Sequence, residues 1–176
     1  MIITNTQFTA VIVLTLLTLV LAVLPQRAAR QRVVDRSRWL MAAGTGLLAV
    51  QFLLQYKLRL RDMGVTQAVM LNLPFFILAS TLLLAAVLSL QRRSGLRVRE
   101  WLAGGLTWLT TMTLIATAAL TDGQPLMSDT PQIRTAEVAG GLLYILMQGY
   151  YVWLTATEMR RMRKSVAAYY DRSILD

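Results

Sequence analysis

The chain has 176 residues, of which 56% are apolar and 15% charged, with a mean hydropathy of +0.52 and a formal net charge of +9. Soluble domains are rarely so apolar, and this length holds about five spans of about 20 residues with short connections. The chain has no cysteine and no histidine, which excludes disulfides, thiolate chemistry and the commonest general base. The composition predicts an integral membrane protein and disfavours most enzyme classes.

Five apolar runs follow one another along the chain, and each is long enough to cross a bilayer as a helix. Positive charge follows the first run and does not precede it, which is the reverse of a cleavable signal peptide, so we expect this run to be retained. The fold class predicted is therefore all-α, an integral membrane bundle of five transmembrane helices. The predicted spans are Phe8–Leu24, Trp39–Tyr56, Val65–Leu90, Trp101–Leu120 and Val138–Thr157.

The distribution of basic residues predicts the orientation of the spans. With the N-terminus outside, 14 of the 18 Lys and Arg residues lie on the cytoplasmic side, as the positive-inside rule requires. Trp39, Trp101 and Trp153 then fall near cytoplasmic span ends, where indole rings prefer the headgroup layer. We expect a multi-pass protein of a bacterial inner membrane with a cytoplasmic C-terminus. The basic residues are then explained by topology and lipid headgroups, without nucleic acid contact by this segment.

Polar side chains form stripes on the predicted spans, and five of the six candidates named below, all except Gln148, lie in the outer halves. One interpretation is an outward polar pocket that binds a small ligand. The other is hydrogen bonding between helices, with glycines that allow close backbone approach. The six candidate ligand-binding residues are Gln51, Gln55, Gln67, Asn72, Tyr144 and Gln148. The glycines expected at helix contacts are Gly44, Gly46, Gly104, Gly105, Gly140 and Gly141.

The ionisable residues do not favour catalysis. No acidic or basic residue lies in the middle of a span, which disfavours a proton-driven transporter. Asp35, Glu100 and Glu158 lie among arginines on the predicted cytoplasmic side, which favours salt bridges over carboxyl groups with raised pKa values. No metal-ligand spacing, phosphate-binding loop or nucleophile motif is present. We therefore predict no enzyme activity, no cofactor and no metal site.

Two outer connections and a tail complete the chain. The 17-residue stretch Thr121–Glu137 is predicted as a loop that is either a lid or a tolerated insertion. Lys57, Arg59 and Arg61 form a positive cluster on the outer side, and we expect it to pair with Asp62 or Glu137. Residues 158–176 are predicted to continue the fifth helix into the cytoplasm, either toward an output module or along the lipid headgroups.

Several stretches carry a resemblance to a known family: Gln51–Phe76, Arg99–Trp101, Met147–Tyr151 and Tyr169–Arg172. Together they resemble the membrane-embedded N-terminal region of membrane-bound regulators from Bacteroides-type bacteria. In that family a multispan sensor is followed by a cytoplasmic helix-turn-helix domain of the AraC type or a comparable output module. The resemblance implies that any DNA-binding or kinase role belongs to residues outside this chain, and no ligand-binding residue carries over from it.

The sequence thus predicts the sensory or anchoring membrane domain of a bacterial signalling or transcription-regulatory protein. The expected cue is a small molecule or an envelope condition, and the expected partners are the lipid bilayer and either a cytoplasmic output domain or further copies of the chain. The alternatives are a small solute facilitator and a subunit of another membrane protein.

Overall fold

The computed structural model describes residues 2–23, 32–92, 95–123 and 128–173. Leu24, the predicted end of the first span, and residues 174–176 of the predicted tail lie outside these ranges. Every regular element in the described ranges is an α-helix. The helices are α1 (Ile2–Val23), α2 (Arg32–Leu58), α3 (Leu60–Met63), α4 (Val65–Gln91), α5 (Val98–Asp122) and α6 (Pro131–Ser173).

Five of the six helices are long and apolar enough to cross a membrane. The protein is therefore an all-helical bundle with the properties of a multi-pass membrane protein, as the composition predicts. The helices extend beyond the predicted spans, because a helix has no reason to end where the apolar stretch ends. The longest is α6, which has 43 residues and continues without interruption to Ser173.

Helix α4 lies at the centre of the bundle and packs against α2, α5 and α6, whereas α1 packs on α2. Two apolar clusters hold α4, α5 and α6 together. One contains Ile77, Leu88 and Tyr151, and the other contains Met70 and Ile133. Because successive long helices are antiparallel, the end of α2 and the beginnings of α4 and α6 lie at one end of the bundle. We call this the groove end, because a surface groove opens there between α4 and α6. On the predicted topology it faces outward.

Close helix contacts use some of the expected glycines and not others. A Cβ atom at Gly140 would lie 2.7 Å from Cγ2 of Thr111, and one at Gly44 would lie 3.0 Å from the Leu83 side chain. At Gly105 and Gly141 a Cβ atom would meet nothing within 4 Å, so the expectation was wrong for these two. Consecutive residues point about 100° apart around a helix, so only one glycine of a Gly-Gly pair faces the neighbouring helix.

The predicted loop Thr121–Glu137 is much shorter in the structure. Helix α5 continues to Asp122 and α6 already begins at Pro131. The oxygen Oγ1 of Thr130 accepts a hydrogen bond of 3.3 Å from the backbone N–H of Ile133, which is the geometry of a threonine N-cap. Proline favours the first helical position because its fixed φ is already helical there. The Thr-Pro dipeptide is therefore a helix start that the sequence interpretation missed.

Candidate functional site

Three of the six predicted site residues meet in one hydrogen-bonded cluster. The side-chain amides of Gln51 and Gln55, on α2, both donate to Oδ1 of Asn72, on α4. The Nε2 of Gln7, on α1, lies 3.5 Å from Oε1 of Gln55 and donates to it. Gln51 and Gln55 are fully buried. The cluster therefore joins α1, α2 and α4 by direct contacts, which is the arrangement expected for hydrogen bonds between helices.

The other three predicted residues lie elsewhere in the bundle. The hydroxyl of Tyr144 is 3.2 Å from Oγ of Ser80, two turns along α4 from Asn72. The buried Nε2 of Gln148 has no hydrogen-bond acceptor among the described residues. The side-chain oxygen of Gln67 lies against Gly64 at the start of α4. In the part of the chain described, no hydrogen bond links Tyr144 or Gln148 to the amide cluster.

The groove end carries an open groove of about 510 Å³ that the sequence did not predict as a unit. It lies between the beginning of α4 and the beginning of α6. Three of its lining residues are valines, and all three of its ionisable side chains come from α6 and the residues just before it. The lining residues are Val65, Thr66, Val69, Asp129, Arg134, Glu137 and Val138.

Asp129 is the best-satisfied carboxylate of the groove. Nε of Arg134 donates to it at 2.6 Å, NH2 of Arg134 donates to its second oxygen, and Thr66 Oγ1 donates at 2.9 Å. The hydrogen bonds from Arg134 and then Thr66 lower the pKa of Asp129 to about 2. The contact with Thr66 also ties the segment before α6 to the first turn of α4. Two features of the sequence could have indicated this contact. Thr66 lies at the start of the third predicted span, and Asp129 and Arg134 lie five positions apart before the fifth.

Glu137 differs from Asp129, because its side chain is 8% exposed and its Oε1 accepts no hydrogen bond from the described residues. The expected pairing of Glu137 with Lys57 or Arg59 was wrong, since both of these side chains are exposed and neither forms an ion pair with it in the described part of the chain. The side chain of Arg61 lies outside that part. Arg134, one turn before Glu137, is held by Asp129 instead.

At the opposite end of the bundle a buried ion triad joins three helices. Arg92, just after α4, contacts Glu100 of α5 at 2.7 Å and Glu158 of α6 at 2.6 Å. All three side chains are at least nine-tenths buried. The second partner of Glu158 is Arg161, at 3.1 Å and mostly exposed. The expectation that Glu100 and Glu158 form salt bridges is confirmed, but their shared arginine had no local signal in the sequence.

The two charged sites are separated by the apolar part of α6. Glu137 and Glu158 are 21 positions apart, which is about 32 Å along a helix and close to the thickness of a bilayer's hydrocarbon core. Beyond Glu158, every side chain from Met159 to Tyr169 is exposed. Helix α6 therefore runs from the groove, past the ion triad, into a projecting tail.

Comparison of the chain with protein-family models, curated proteins and solved structures gave no match. The resemblance to membrane-bound regulators therefore stays a prediction. Among the described residues, no group of three or more acidic, histidine or cysteine side chains is placed to hold a metal ion.

Proposed function

We propose that this chain is a sensory and anchoring membrane domain, in which α6 transmits a change at the outward groove to the cytoplasmic side. The observation that carries the proposal is the continuity of α6 from the groove residues Arg134, Glu137 and Val138 to the exposed tail. A helix that spans the bundle in one piece links its two ends mechanically, whereas a solute facilitator has no need for such a projection.

The packing of α6 supports a transmitting role. Near the groove, Ile133 and Ala136 pack with Met70 and Ile115. Near the tail, Glu158 is held by Arg92, which also holds α5 through Glu100. Because α6 is held by α4 and α5 near both of its ends, a displacement at the groove has to be absorbed at the ion triad or passed to the tail.

The orientation and location belong to the same proposal. The excess of basic residues on one side supports an outside N-terminus and a cytoplasmic tail in a bacterial inner membrane. The tail would then act on a signalling or transcription-regulatory output, with no nucleic acid contact by the segment itself. The proposal includes no catalytic step.

A small solute facilitator is the second candidate, and the buried amide cluster is the observation that favours it. Amide groups deep in an apolar bundle can line a path for polar solutes. Against this, the two glutamine amides each use one N–H in a direct contact with Asn72, so they hold α2 to α4 and do not face an open path.

Cross-linking at the groove tests the proposal, because the chain has no native cysteine. Thr66→Cys with Asp129→Cys would be bridged by a short bifunctional thiol reagent in the full chain in lipid nanodiscs. We expect the bridge to change the rates of amide hydrogen exchange in residues 158–169 by about fivefold or more. Fivefold is about the lower limit of the coupling usually found between two sites.

The matched control is a bridge between Thr18→Cys and Thr45→Cys, whose hydroxyls lie 3.0 Å apart between α1 and α2. This bridge should leave exchange in the tail unchanged. Identical tail exchange with and without the groove bridge would refute transmission through α6. Uptake of a small neutral solute into proteoliposomes, abolished by the groove bridge, would favour the facilitator.

A further inference from the structure

The charges that line the groove leave one carboxylate without a cation. Asp129 and Arg134 neutralise each other, and Thr66 donates to the same carboxylate. Glu137 remains, with a side chain that is more than nine-tenths buried and an Oε1 that has no donor among the described residues. With Glu137 ionised, the Asp, Arg and Glu side chains that line the groove sum to a net charge of −1.

A buried carboxylate without a partner is costly, because its charged form loses hydration without compensation. A bound cation would supply that compensation. A divalent metal ion fits poorly, since Ca²⁺ and Mg²⁺ require about six or more oxygen ligands and the groove offers one unengaged carboxylate. A single positive charge on an organic group needs only one such partner.

The remaining lining residues indicate the chemistry of the uncharged part of the ligand. Val65 and Val69 of α4 and Val138 of α6 form the apolar part of the lining, and the volume of about 510 Å³ lies within the range usual for small-molecule sites. Val65 and Val138 are both exposed, so a short alkyl chain laid against them would bury apolar surface at this end of the bundle.

We propose that the groove binds a small lipophilic monocation, with an ammonium group paired to Glu137 and an alkyl chain against the three valines. This assigns a chemical class to the cue of the sensor and so rests on the proposed function. Arg134 contributes indirectly, because the hydrogen bonds of its guanidinium group go to Asp129.

Calorimetric titration of the full chain in nanodiscs of neutral phosphatidylcholine tests the site, with hexyltrimethylammonium as the probe. We expect saturable binding of one cation per chain, and a loss of affinity of about tenfold or more in Glu137→Gln, as for other buried charge pairs that lose one partner. Asp62→Asn is the matched control. It removes the same charge from an exposed residue of α3 that does not line the groove, and its affinity should stay within about twofold of the unmodified chain, as expected for an exposed charge.

Several outcomes would overturn the assignment: no saturable binding, equal binding to Glu137→Gln, hexanol binding as tightly as the ammonium compound, or displacement of the probe by millimolar Mg²⁺. Failure of this site is distinguishable from failure of the sensor. If the cation binds but the groove cross-link leaves tail exchange unchanged, transmission is refuted and the site stands. If the cross-link changes tail exchange but the cation does not bind, the ligand class is refuted and the sensor stands.

Discussion

Replacement of Arg92 by methionine should destabilise the bundle more than replacement of any exposed arginine. Arg92 is the common partner of Glu100 and Glu158, and the three side chains are 9%, 2% and 10% exposed. Removal of one member of a buried ion pair typically costs about 3 to 5 kcal/mol, because the remaining charge is left buried and uncompensated.

We expect the loss of stability in Arg92→Met to lie at the lower end of that range, because both carboxylates keep another partner. Glu100 keeps a hydrogen bond of 2.8 Å from the backbone N–H of Arg97, and Glu158 keeps its exposed partner Arg161. We therefore expect Arg92→Met to lower the free energy of unfolding by about 3 kcal/mol. Arg161→Met removes a partner from the same carboxylate, but Arg161 is 65% exposed, so we expect a loss of about 0 to 1 kcal/mol.

The assay is unfolding by sodium dodecyl sulfate in mixed micelles, followed by the fluorescence of the four tryptophans. A third variant separates lost charge pairing from lost packing. Combining Arg92→Met with Glu100→Gln and Glu158→Gln removes the stranded charges and should recover most of the stability. A loss of stability in Arg92→Met no larger than that in Arg161→Met would contradict a stabilising role of the ion triad. A triple variant as unstable as Arg92→Met alone would contradict the cost of the uncompensated charges.

Three further predictions concern packing, the amide cluster and orientation. Gly104→Ala should destabilise the bundle by about 1 to 3 kcal/mol through overpacking, because its Cβ would meet Thr81 and lie 2.7 Å from the Tyr151 hydroxyl. The control Gly105→Ala has open space around its Cβ and should be neutral or stabilising in the same detergent titration. Asn72→Leu should lower the free energy of unfolding by about 1 to 2 kcal/mol, because the side-chain amides of Gln51 and Gln55 lose their acceptor. A loss of only about 0.6 kcal/mol, the average for one interhelical hydrogen bond, would show that these amides find other acceptors. A cysteine at Ser128 should react with an impermeant thiol reagent in whole cells and one at Ser165 should not, and the reverse order would refute the outward placement of the groove.

The sequence by itself determined the class of the fold. Five apolar runs, bounded by charge and tryptophan, are a property of composition along the chain, and each forms a helix long enough to cross a bilayer. The helical period also placed Gln51, Gln55 and Asn72 on faces that meet, because hydrogen bonds between helices favour contact of amide groups in apolar spans.

Hydroxyl groups follow this rule only in part. Among the threonines of α5, Thr111 is fully buried, whereas Thr110 and Thr117 are exposed. The hydroxyl of Thr117 donates to the carbonyl of Thr113, one turn back on its own helix. A threonine can therefore satisfy its polar group locally and face any direction, whereas a glutamine side chain in these spans cannot.

Only the tertiary structure decided which charges pair. Arg92 and Glu158 are 66 positions apart, and no local pattern indicates that one arginine serves two carboxylates on two other helices. The groove depends in the same way on Asp129, rather than Glu137, capturing Arg134. Periodicity fixes the face on which a side chain lies, but partners on different helices are fixed by the rotation and depth of each helix, and these come from packing of the whole bundle.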